Sequence, residues 1–80
     1  MAKEKIEVAL KNVRNTTTMV KKFLDILKAQ ENSEEIDNYL QAFHDSYSNY
    51  PYYPDVKESI ITKVEALGMD TDHVNEILSA

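Results

Sequence analysis

Two short stretches hold the residue types that move protons or bind metals: His44-Asp45 and Asp70-Thr71-Asp72-His73. The first has no nucleophile to activate. The chain contains no cysteine, and no serine stands in a glycine-rich elbow. The second lacks the glycine and the twelve-residue spacing of a calcium loop, and it lacks the paired histidines of a zinc site. Asp70 and Asp72 read instead as helix-capping acids. A phosphate-cradling loop needs several glycines, and Gly68 stands alone. The expectation is a protein with no catalytic residues, no cofactor and no metal.

The densest chemistry in the chain is aromatic. Tyr47, Tyr50, Tyr52 and Tyr53 fall within seven residues, with the chain's two prolines between and just after them, Pro51 and Pro54. A tyrosine couples a broad apolar face to a hydroxyl and has few rotatable bonds to immobilise. Proline stiffens the backbone and interrupts helices. The stretch therefore reads as a rigid junction that either presents contact rings or fills gaps in a small core, and residue types alone weigh the two evenly.

Charge is unevenly divided. Residues 1–30 carry seven cations against three carboxylates, +4, and residues 31–80 carry two cations against eleven carboxylates, −9. The net charge is −5 and the pI about 4.9. Such a division can hold two parts of one chain together, pair two chains, or offer an acidic face to a basic partner. Eighty residues make one domain, 1–80. No stretch approaches the ~20 apolar residues of a membrane span. The N-terminal Met-Ala-Lys-Glu-Lys has no long apolar run behind its charges, so no secretory leader is expected. Together with the absence of cysteine, this points to the cytoplasm.

The elements that position these residues are helical. Ile6, Leu10, Val13, Thr17, Val20, Leu24 and Leu27 alternate spacings of four and three, a heptad seam. Asn15-Thr16-Thr17-Thr18 is poor helix sequence, and Asn15 or Thr16 is an alternative cap for a second helix. The seam keeps phase across it, which favours one helix over residues 3–29. A second helix begins at the Asn32…Glu35 capping pair, or at Ser33, and ends near Ser48-Asn49. A third starts after Pro54 with Asp55…Glu58 as its capping pair and stops at Gly68. A short fourth follows Asp70. The expected fold is all-α: a small antiparallel bundle of one long N-terminal helix, two shorter ones packed along it and a brief C-terminal helix. The long helix would run about 40 Å, against roughly 30 Å for a compact domain of this size. It must overhang, be covered end to end, or pair with a second chain.

Ser33-Glu34-Glu35 opening an amphipathic helix, Tyr52-Tyr53-Pro54, and Glu58-Ser59-Ile60-Ile61-Thr62-Lys63-Val64 together resemble the immunity proteins of nuclease colicins and pyocins. The resemblance covers about half of the chain. It implies a small acidic four-helix protein that inhibits a basic nuclease domain. In that family, tyrosines before the proline and acids on the second helix make the principal contacts, which implicates Tyr52, Tyr53, Glu34, Glu35 and Asp37. The chain departs from the family in its shorter loop before the tyrosines, its longer first helix and its lack of tryptophan.

The expected function is non-enzymatic binding of a basic protein partner, as an immunity-type or phage-type inhibitor, through Tyr50, Tyr52, Tyr53, Glu34, Glu35 and Asp37. A second reading is a homo-oligomeric structural or regulatory protein, a dimer paired through the long seam, with the tyrosines as core filler. A third, nucleic-acid binding through the basic first helix, is disfavoured. The acidic helices would quench its cations, and the low pI opposes phosphate binding.

Overall fold

In the computed structural model, which describes residues 2–80, Asn15 divides the N-terminal segment in two. Helix α1 spans Ala2–Leu10 and α2 spans Thr16–Lys28. The Asn15 backbone is extended (φ −103°, ψ 127°), and its side-chain oxygen accepts from the Thr17 and Thr18 amides at 2.8 and 3.3 Å. The single helix expected over residues 3–29 is thus corrected to two. Asparagine satisfies orphan amides at a helix start better than it serves a helix interior, and three threonines behind it add no helix propensity to oppose the break. Dimensions argue the same way. The molecule measures 28 × 25 × 21 Å, too short for the rod that an unbroken helix would form. Folding back lets both segments bury their apolar faces in one core. Ile6, Leu10, Val20, Leu24 and Leu27 are all buried, Val13 is half-buried in the turn, and Thr17 is exposed.

Helix α3, Ser33–Tyr47, starts as the sequence indicates: Asn32 accepts from the Glu35 amide at 2.9 Å. Helix α4, Tyr53–Ala66, starts earlier than expected. Its N-cap is Tyr52, which makes no side-chain cap bond, and Pro54 lies inside the first turn. Proline has no amide to leave orphaned there, so the turn can wind through it. Asp55 is not the cap, but a carboxylate in the first turn still complements the positive end of the helix. At the other end Gly68 takes φ +82°, donating to Glu65 O at 3.0 Å while Met69 donates to Val64 O at 3.1 Å. That paired closure needs a left-handed residue, which glycine supplies without strain. Asp70 then caps α5, Thr71–Ser79, accepting from the Asp72 and His73 amides.

The fold is all-α, and no strand occurs among the described residues. Among the described residues, five short helices replace the expected lengthwise bundle around one long helix. Helix α3 packs against α1 and α5, α4 packs against α2 and α5, and α1 packs against α2. Phe23 of α2 and Phe43 of α3, both fully buried, stack at 4.4 Å between ring centroids at the centre.

Candidate partner-binding surface

Two hydrogen-bonded turns build the α3–α4 junction. Tyr50 donates from its amide to Tyr47 O and Tyr53 to Tyr50 O, both at 2.9 Å, and Val56 then donates to Tyr52 O at 3.0 Å. This backbone holds the rings as a ladder that climbs out of the core. Phe43 meets Tyr47 at 5.2 Å, Tyr47 meets Tyr50 edge-on at 6.4 Å, and Tyr50 meets Tyr52 edge-on at 5.7 Å. Exposure rises along it: Phe43 is fully buried, Tyr47 and Tyr50 are half-buried, and Tyr52 is 57% exposed. Each edge-to-face contact fixes the next ring, so Tyr52 is an aromatic anchor braced from below.

Tyr53 leaves this ladder. It is buried, its ring lies 5.9 Å from Phe43, and its hydroxyl donates to the Leu78 carbonyl at 2.7 Å. Burial pushes its phenol pKa up to about 12. The Tyr47 phenol is raised too, first by burial and then by the nearby Glu7 carboxylate. The structure therefore places Tyr53 in the core as the strap between α4 and α5, while Tyr50 and Tyr52 form the outward part of the cluster. The signal for this was in the sequence: at about 100° per residue Tyr53 falls near the middle of the stripe of Val56, Ile60 and Val64, and Tyr52 about 80° to one side of it.

The acids read together with the tyrosines divide as well. Glu34 and Glu35 occupy the exposed first turn of α3, and Asp37 lies one turn further on. The helix carries them about 20 Å from the tyrosine end. At that far end Asp37 holds His73 Nε2 at 2.9 and 3.0 Å, tying α3 to α5. The His73 pKa is raised, first by the Asp37 hydrogen bond, then by the Asp37 charge, with smaller additions from Asp70 and Glu76 against a small desolvation. Glu7 and Asp45 lie beside Tyr47 at the inner end of the ladder, and the carboxylates that follow Tyr52 on α4 are Asp55 and Glu58. They line an open groove of about 420 Å³ along the outer face of α4 with Ser59, Thr62 and Lys63. Tyr52 and Asp55 are three residues apart at the start of that helix, a spacing that shares a face.

His44 sits at the margin of the cluster, edge-on to Tyr53 with 6.2 Å between ring centroids. Its Nδ1 is 3.6 Å from Asp45, beyond hydrogen-bond reach. Among the described residues no three histidine, cysteine or carboxylate side chains gather as a metal set.

The expected internal quenching of the N-terminal cations is not seen. The ion pairs among the described residues involve only His44 and His73, and no lysine or arginine lies within 4.0 Å of a carboxylate. The basic surface, expected only as a disfavoured nucleic-acid site, is consequently a feature in its own right. Val8, Ala9 and Val13 line an open groove of about 470 Å³ at the α1–α2 elbow, with Arg14 and Lys22 among its polar residues. Val8 is 75% exposed and lies outside the buried seam. No helix among the described residues is long and apolar enough to cross a membrane. Comparison with protein-family models, curated proteins and solved structures finds no significant match for the chain.

Proposed function

We propose that the chain is a non-enzymatic protein-binding module whose contact surface is the Tyr52 elbow with the acidic strip of α4. The observation that supports this is the braced exposure of Tyr52. A large ring in solvent, fixed by Tyr50 and flanked by Pro51 and Pro54, gives up little side-chain freedom on docking. Asp55 and Glu58 beside it favour a basic partner and steer its approach. Glu34, Glu35 and Asp37 join the contact only if the partner spans α3 from end to end. In its most specific form the module is an immunity-type inhibitor of a basic nuclease domain, as the resemblance carried by Ser33-Glu34-Glu35, Tyr52-Tyr53-Pro54 and residues 58–64 implies. The long-seam dimer has no comparable support, since the seam residues other than Thr17 pack into or against the chain's own core.

Capture of a basic partner from the native host, repeated with Tyr52→Ala, tests this reading. Recovery should fall by about tenfold or more while helical content and melting stay as in the wild type. Tyr53→Phe, with the core ring retained, should still capture the partner. Undiminished recovery by a folded Tyr52→Ala protein would sink the elbow as the contact site.

A further inference from the structure

We infer that a second copy of this chain docks its Tyr52 elbow into the basic α1–α2 groove of the first, making a head-to-tail contact; this rests on the elbow being a contact surface and names a partner for it. The two patches are complementary in each respect the structure records. The groove has an apolar lining of Val8, Ala9 and Val13 beside the cations of Arg14 and Lys22. The elbow offers an exposed ring, Tyr52, beside the carboxylates Asp55 and Glu58, with Lys63 the lone cation in that strip. Each side leaves its charges unpaired within the chain: no lysine or arginine meets a carboxylate within 4.0 Å among the described residues. Of the three large apolar side chains that stay exposed among the described residues, Val8 belongs to the groove, Tyr52 to the elbow and Leu67 to neither.

One molecule cannot close this contact on itself. The Thr16, Thr17 and Val20 flank of α2 faces Asp55, Ser59 and Lys63 of α4 across a cleft of about 90 Å³. Thr18 and Lys22 line the groove on the other flank. The cationic and anionic patches thus lie on opposite sides of α2. Patches that face away from each other cannot both engage across one two-fold axis, so the contact is heterologous and builds a ring or an open chain rather than a closed two-fold dimer. Its charges are at the rim, so it weakens as salt shortens the Debye length from about 10 Å at ~0.1 M to about 3 Å at ~1 M.

Sedimentation velocity over a range of concentrations tests it with the full chain. The wild type should associate with rising concentration at ~0.1 M salt and revert to monomer at ~1 M. A groove variant, Val8→Glu with Arg14→Glu, and an elbow variant, Tyr52→Ala with Asp55→Lys, should each associate at least about tenfold more weakly. These positions are exposed, so both variants should melt like the wild type. Mixing the two variants leaves one intact elbow facing one intact groove. The mixture should stop at a species of twice the 9.2 kDa chain mass, with no larger one. A wild type that stays monomeric at every concentration and salt overturns self-docking, and partner capture through Tyr52 still decides the elbow reading separately. Association that survives the groove variant also overturns it. A monomer whose groove instead retards duplex DNA at ~0.1 M salt, and loses that on Arg14→Glu, would assign the groove to nucleic acid.

Discussion

Residues 2–30 and residues 31–80 share one core but are fastened differently. Within the C-terminal part, three polar ties join separate helices: Asp37 to His73, Tyr53 to the Leu78 carbonyl, and Lys57 to Ser79. All three hold α5, a helix of nine residues that is too short to persist on its own. No side-chain hydrogen bond or ion pair links residues 2–30 to residues 31–80 among the described residues. Helices α1 and α2 adhere to the remainder by apolar packing, with Phe23 on Phe43 at its centre. The contrast separates two jobs. Apolar burial supplies the cohesion, which is non-directional, and the polar ties fix the direction of a helix with too little apolar surface to fix its own. No short-range ion pair adds to that cohesion among the described residues, despite the +4 and −9 of the two parts.

The largest effect should come from the apolar seam between the parts. Phe43→Ala removes a fully buried ring that touches Phe23, Tyr47 and Tyr53, and should cost about 3–5 kcal/mol in urea unfolding. A domain of this length has roughly 4–12 kcal/mol in total, so much of the protein would be unfolded at ambient temperature. A loss below about 1 kcal/mol would show that the two parts are not held there.

Next is the strap inside the C-terminal part. Tyr53→Phe keeps the ring but leaves the Leu78 carbonyl buried without its donor, at a cost of about 1–3 kcal/mol. Hydrogen exchange should speed up in α5 well before α1. Uniform acceleration across all five helices would mean that α5 is not separately tied.

Which parts of this were legible follows from the range of each signal. Caps are local, so Asn32, Gly68 and Asp70 announced their helix ends. Periodicity reports which way residues face and not whether the helix is continuous. Leu10, Val13 and Thr17 kept count through a turn, and the seam read as one helix although its buried members serve two. Tyr52 and Tyr53 are identical and adjacent, yet one is in solvent and the other in the core. Only the phase of α4 separates them; Val56, Ile60 and Val64 show that phase, but a helix expected to start after Pro54 leaves both tyrosines outside it. Net charge by segment was plain, but a sum carries no distances, so neither the unpaired cations nor the groove at Val8 followed from it.

A smaller effect should distinguish the C-terminal part by its pH response. Asp37 raises the His73 pKa above its ordinary 6.5. The protonated pair therefore contributes its full stability below pH ~6.5, and that contribution disappears as pH rises through the raised folded value. Melting curves of the wild type and His73→Ala should differ most at the acid side of this window and converge at its alkaline side. Parallel pH profiles would mean that the tie does not orient α5.

The smallest effect is the sharpest test of the contrast. Lys21 and Lys28 project from α2 into solvent with no carboxylate in reach among the described residues. If apolar packing alone joins the parts, Lys21→Glu and Lys28→Glu should each change stability by no more than about 0.5 kcal/mol, even though both move the net charge further from zero. Salt should leave that difference nearly unchanged, because there is no short-range pair to screen. If the opposite charges of the two parts attract through space instead, the double reversal would cost well over 1 kcal/mol and ~1 M salt would erase the loss. Arg14→Glu belongs to the same series. It should be as silent in unfolding as Lys21→Glu while weakening self-association, so one residue tells cohesion within a molecule apart from contact between molecules.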